Sequence, residues 1–176
     1  MNDLLRGRRA QLFALFAGVL IADRVTKILA ERSLAMGSPV EVIPGFFQLT
    51  LVHNTGMAFG LLGSASIPGK AWLLTAVSTG LLVAIVWLAW RAGPLTTMTT
   101  FGIAAMLSGA VGNILDRLLY GYVVDFFDFY IGSAHWPAFN IADATICTGV
   151  GLLVLESVRD LRREAGGAGQ EDLSGT

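Results

Sequence analysis

The sequence predicts an all-α membrane protein, four transmembrane helices carrying a small β-containing extracytoplasmic cap. Three observations carry that reading. Of 176 residues, 54% are hydrophobic and 14% are charged, with a mean hydropathy of +0.64, too apolar for an ordinary soluble domain. The apolar residues gather into runs near 11–30, 70–90, 95–117 and 139–158. Each is about long enough to cross a hydrocarbon core of roughly 30 Å at about 1.5 Å per helical residue. The arginines mark the ends of those runs: Arg6, Arg8 and Arg9 before the first, Arg91 after the second, and Arg159, Arg162 and Arg163 after the last. By the positive-inside rule this distribution puts both termini in the cytoplasm. The formal net charge of −1 argues against a nucleic-acid partner.

The first run starts basic, as a secretory leader does, but Asp23, Arg24 and Lys27 interrupt its second half and argue against that reading. On a helix Asp23 and Lys27 lie one turn apart, acid before base, in the favoured order. Residues 31–68 differ in kind. Pro39, Pro44, Pro68, many glycines and the alternation Phe47-Gln48-Leu49-Thr50-Leu51 predict short strands, and this segment is the expected cap. Its tail, HNTGMAFGLLG, suits either a loop that faces substrate or dips into the membrane, or a glycine-rich turn at the interface.

In the second run, 71–90 carries no charge and has Trp72, Trp87 and Trp90 near its ends as interface anchors. The third ends in Gly109, Gly112, Asn113, Asp116 and Arg117. Helical spacing sets Asn113, Asp116 and Arg117 on one face, while the glycines admit a neighbouring backbone. An Asp116–Arg117 ion pair that fixes the helix is as good a reading there as a catalytic one. The chain to residue 165 reads as a single domain, and 166–176, small, polar and acidic, is expected to be disordered. A lone cysteine, Cys147, cannot form an intramolecular disulfide and reads as a small apolar packing residue. His53 and His135 are not spaced as metal ligands, so no metal or other cofactor is expected.

The chemistry concentrates in VVDFFDFYIGSAHWPAFNIAD, residues 123–143, with Asp125 and Asp143 at its ends. An ionisable group beside hydrocarbon costs at least about 2.5 to 3.5 kcal/mol, so carboxylates kept there are expected to work. The third and fourth runs are antiparallel neighbours, which lets the two aspartates meet near one membrane surface. Two carboxylates in contact share a proton, leaving one to activate water and the other to protonate a scissile carbonyl: peptide hydrolysis without metal or covalent intermediate. Asp143, in the first turn of a helix three residues after Asn140, is favoured as the more acidic partner. The same spacing also describes a simple helix cap. Asp128 competes with Asp125, and on an extended segment the two face opposite sides, so one of them meets Asp143. The aromatic residues around them suit the headgroup level and need no catalytic role.

Five segments in order, ADRVTK, HNTGMAFG, GNILDR, VVDF and PAFNIAD, span most of the chain. In these it resembles the bacterial lipoprotein signal peptidases, also called signal peptidase II. The resemblance implies an intramembrane aspartic endopeptidase of the bacterial inner membrane, its active site toward the extracytoplasmic face. Such an enzyme cuts the signal peptide from diacylglyceryl-modified prolipoproteins, just before the lipid-bearing cysteine. The resemblance makes Asp125 and Asp143 catalytic. It makes Asp23, Lys27, Asn54, Gly56, Asn113, Asp116, Arg117, Asn140 and Ala142 substrate-binding or site-supporting. The implied partners are prolipoprotein and membrane lipid, and a monomer suffices. Met57 departs from the family, which often has a smaller residue there. Two other classes compete. Intramembrane ionisable groups also mark transporters and ion pathways, although the chain has no internal repeat and its polar groups cluster toward one face. The carboxylates could also serve only as helix caps in an assembly factor.

Overall fold

Proline-free apolar runs become helices in a membrane because a helix satisfies its own backbone donors and acceptors. Among the described residues of the computed structural model four helices form: α1 (Asn2–Ser33), α2 (Lys70–Arg91), α3 (Thr97–Tyr120) and α4 (Ile141–Ser174). The structure describes residues 2–56 and 70–174, with side chains over 7–56 and 72–163. Met57 and the rest of the HNTGMAFG loop, up to residue 69, lie outside the described residues. Among the described residues three stretches are long and apolar enough to cross a membrane: Trp72–Arg91, Thr97–Tyr120 and Ile141–Arg163. α1 is 32 residues long but carries its charged triplet in the C-terminal half.

α3 has defined ends. Thr96, extended, accepts the Thr99 N–H on its hydroxyl at 3.1 Å. At the other end Gly121 takes a left-handed conformation (φ 79°), and its N–H reaches the Arg117 carbonyl at 3.0 Å. That turn delivers the chain at once into a strand, so Asp125 follows closely on the end of α3. Against α4 the packing is backbone to backbone. A side chain at Gly109 would run into the Ala142 carbonyl and come within 2.9 Å of Ile146. α1 packs across both helices, and α2 packs on α3.

A four-stranded antiparallel sheet caps the bundle: β1 (Val40–Ile43), β2 (Phe47–Asn54), β3 (Val123–Ile131) and β4 (Ala134–His135), adjacent in chain order. The strands expected in 31–68 are present, but half of the sheet comes from the loop between α3 and α4. β3 hides from pattern reading because Val123, Val124, Asp125 and Phe126 are all buried, which removes the alternation that marks a half-exposed strand. Its register sets Asp125 opposite Val52 and Val123 opposite Asn54, after an irregularity between Leu49 and Val52.

Two expectations are corrected. α4 continues to Ser174, through the stretch expected to be disordered from 166. Extending a formed helix fixes one residue per added hydrogen bond, and alanine, glutamate and glutamine are good helix formers. Cys147 is exposed, off the buried stripe of Ala142 and Gly149, and is not a core packing residue.

Candidate active site

Five elements converge where the sheet meets the helices. α1 brings Asp23 and Lys27, β2 brings Asn54, and α3 brings Asn113, Asp116 and Arg117. β3 brings Asp125, while Asn140, Ala142 and Asp143 stand at the start of α4.

Lys27 is 1% exposed and spends its ammonium on three partners. Asp23 Oδ2 and Asp116 Oδ2 each lie at 2.8 Å, and Asn113 Oδ1 accepts at 3.1 Å. Asp23 Oδ1 accepts the Ala142 N–H at 3.0 Å, tying α1 to α4. Asp116 also takes Arg24 Nη1 at 3.1 Å and the Val124 N–H at 3.2 Å. Arg24 in turn donates to the Tyr120 hydroxyl. Two carboxylates and two cations therefore neutralise one another where α1, α3, α4 and β3 meet. The i, i+4 pair of Asp23 and Lys27 is as expected. Asp116, however, takes its ion pairs from α1, because successive residues on a helix point about 100° apart. Arg117 instead makes a long contact to the Gly56 carbonyl, 3.4 Å, and lies within electrostatic reach of Asp143, Asp125 and Asp116. Arg24 is the residue the sequence reading missed, although its place beside Asp23 in a membrane-length run was a signal.

The second pair of carboxylates is bridged without a cation. Asn140 is the N-cap of α4: its Oδ1 accepts the Asp143 N–H at 2.9 Å, and Asp143 Oδ2 accepts the Asn140 N–H at 3.3 Å. This reciprocal cap is the bland reading made real. The same Asn140 also donates Nδ2 to Asp125 Oδ1 at 2.7 Å, so one side chain holds both aspartates. Asn113 donates to Asp143 Oδ1 at 2.7 Å and Asn54 to Asp125 Oδ2 at 2.8 Å. Asn54 Oδ1 accepts the Gly56 N–H at 2.9 Å, which fixes the amide that faces Asp125. Among the described residues neither Asp125 nor Asp143 makes an ion pair.

Asp125 is 2% exposed. Burial first, and the neighbouring charge of Asp143 second, push its carboxyl from 3.8 up to about 7, against the pull of the Asn54 and Asn140 amides. Near neutral pH it is poised between acid and base. Asp128 is held elsewhere, accepting Gln48 Nε2 at 2.6 Å and lying 2.9 Å from His135 Nδ1. Beside the start of α4 an apolar groove of about 420 Å³ runs between α1, α3 and α4, lined in part by Leu15, Phe101, Ile141 and Ala144.

Membrane-length helices around two aspartates bridged by one asparagine define a membrane-embedded protein with carboxylates placed for acid–base chemistry. Residues 15–159 match the family model described as signal peptidase (SPase) II. The chain belongs to that family and is a peptidase. It is 41% identical to the lipoprotein signal peptidase of Burkholderia thailandensis over 144 residues, covering 82% of this chain and 85% of that one. To the enzyme of the same name from Paraburkholderia phymatum it is 42% identical over the same span. Two solved bacterial membrane enzymes, determined in meso at 2.3 Å and 1.9 Å, superpose with a TM-score of 0.75. They are 32% and 30% identical, cover 86% of this chain, and are themselves covered to 90% and 94%.

Proposed function

We propose that this chain is the aspartic endopeptidase that removes the signal peptide from diacylglyceryl-modified prolipoproteins, cutting before the lipid-bearing cysteine, with Asp125 and Asp143 as its catalytic pair. The observation that carries this is the shared bridge: Asn140 donates Nδ2 to Asp125 and accepts the Asp143 N–H, neither aspartate makes an ion pair among the described residues, and burial raises the Asp125 carboxyl to about 7. In the reaction Asp143, which accepts two amide hydrogen bonds, takes a proton from water as the water oxygen bonds to the scissile carbonyl carbon. Asp125 passes its proton to the carbonyl oxygen, giving a neutral gem-diol. Collapse of the gem-diol breaks the C–N bond. Its hydroxyl proton returns to Asp125, the proton on Asp143 goes to the leaving nitrogen, and the starting state is restored. Asn140 keeps the two carboxylates in register throughout, and Arg117 offsets the charge on the pair.

The remaining candidates support this site. Asp23, Lys27 and Asp116 lock α1 onto α3, Ala142 anchors α4 through its N–H, and Asn54 with Gly56 presents the edge of β2 to Asp125. In the proposed topology α1 is the fourth span, residues 1–165 form one unit in the bacterial inner membrane, and both termini are cytoplasmic. The sheet and the aspartates then lie toward the extracytoplasmic face. Substrate arrives already anchored in the bilayer, and the apolar groove along α1, α3 and α4 offers its lipid or signal helix a lateral path. One copy of the chain contains every group this chemistry uses. The test is cleavage of a purified diacylglyceryl-prolipoprotein in detergent by the wild type, Asp125→Asn and Asp143→Asn, with folding checked for each. Loss of cleavage in both folded variants is expected, and near-normal turnover in either one removes that residue from the mechanism.

A further inference from the structure

The end of the helical unit opposite the sheet is organised around arginines that have no carboxylate. α3 and α4 are antiparallel, with Gly102 against Gly149, Leu152 and Leu153, so the first turn of α3 lies beside the arginines of α4. Arg8 arrives there from α1 and donates Nη2 to the Thr96 carbonyl at 3.1 Å and to the Thr100 hydroxyl at 2.5 Å, while its Nε is enclosed without a partner. Arg159 arrives from α4, exposed, and its Nη1 meets the Met98 sulfur at 3.1 Å, a weak acceptor. Neither guanidinium makes an ion pair among the described residues. The α3 terminus is not itself the attraction, since Thr96 already accepts the Thr99 N–H.

We infer that Arg8 and Arg159 together bind the phosphate of an anionic phospholipid, at a site separate from the aspartate pair. A guanidinium presents planar donors that match a phosphate, and here Arg159, exposed, and the Nη1 edge of Arg8, whose Nη2 is held by Thr96 and Thr100, approach one turn of a third helix. The depth is right for a headgroup. At the adjoining end of α2, Arg91 lies over the Trp87 ring at 4.8 Å and Trp90 is 79% exposed, as aromatic anchors at a membrane–water boundary are. Arg9, Arg91 and Arg162 add positive field at the same end, and Arg163 is partly offset by Asp160 at 3.6 Å. A lipid held there clips α1 to α4 across α3, joining the first and last helices of the chain.

The test uses the full chain in detergent micelles, titrated with phosphatidylglycerol or phosphatidylcholine of the same acyl composition, with bound lipids counted by native mass spectrometry. Wild type is expected to retain phosphatidylglycerol preferentially. Each arginine removed, in Arg159→Gln and then in Arg8→Gln/Arg159→Gln, is expected to weaken that preference roughly fivefold. Arg9→Gln is expected to weaken it less. Arg159→Gln alone touches only Met98 and keeps the test open if the double variant does not fold. Equal retention of both lipids by the wild type, or an unchanged preference in Arg159→Gln and the double variant, overturns the inference. Displacement of the lipid by an equal concentration of inorganic phosphate overturns it too, by making the site a general phosphate site.

Discussion

Two pairs of carboxylates meet where the sheet joins the helices, and they are bridged differently. Asp23 and Asp116 close on Lys27, whose ammonium lies 2.8 Å from each. Asp125 and Asp143 close on Asn140, whose amide lies 2.7 Å from the first and whose oxygen accepts the backbone of the second. Burial is similar for Asp23 and Asp125, at 2% exposure each. An ammonium supplies charge and ties its two carboxylates together across α1 and α3, so that pair is a fastener. An amide supplies geometry without charge, and burial raises the Asp125 carboxyl that it holds to about 7, where that group is poised to exchange a proton. The difference separates the residues that hold the fold from those proposed to act.

The largest effects should divide along that line. Asp125→Asn and Asp143→Asn are expected to lower turnover roughly a hundred- to ten-thousandfold, with thermal unfolding in detergent little changed or shifted upward for Asp125→Asn. Lys27→Met should do the reverse first, costing about 3 to 5 kcal/mol by leaving Asp23 without its cation and Asp116 with Arg24 alone, read by unfolding and not by kinetics. If Lys27→Met unfolds like wild type while Asp125→Asn collapses, the two pairs have been assigned the wrong roles.

A smaller effect belongs to pH. Asp125 is raised from 3.8 to about 7 on folding, so the folded state binds the extra proton between those values. Its contribution to stability is therefore complete below pH 3.8 and declines as pH rises toward 7, then levels off. Asp125→Asn should flatten that decline in a series of unfolding midpoints. In wild type, kcat/KM should fall about tenfold per pH unit above 7, as the proton on Asp125 is lost. A profile flat to pH 9 would detach the activity from this group.

Asn140→Ala comes next. It removes the cap, worth about 0.5 to 2 kcal/mol, and frees Asp125, so the alkaline limb of the rate profile should move as well as the unfolding midpoint. A pure cap would shift only the midpoint. Least affected should be Asp128→Asn, whose contacts to Gln48 and His135 lie apart from the pair. Its turnover should stay near wild type in the same cleavage assay, and a large loss would bring Asp128 into the chemistry.

Much of the site was legible because its key contacts are local or are imposed by antiparallel helices. Asp23 and Lys27 are one turn apart, Asn140 and Asp143 have capping spacing, and a short return from α3 to α4 brings Asp125 near Asp143. What could not be read depends on partners distant in the chain. The match of β3 to β2 joins Asp125 to Val52 across most of a helical pair, and no local pattern announces it. Arg24 looked like a stray charge until Asp116, on another helix, met it. The exposure of Cys147 follows from which side of α4 meets α3, and its apolar neighbours are as consistent with lipid as with core. The end of α4 was misread because glycine content argues for disorder while helix extension, once started, is cheap.

The reciprocal cap at Asn140 and Asp143 also governs when the proposed enzyme switches on during its own manufacture. α4 follows β3 in the chain, and until its first turn winds, Asp125 lacks both its bridging amide and its companion carboxylate. On the proposed mechanism a half-inserted chain is a spectator among the membrane-anchored precursors around it. Completion of the fold is its own activation step.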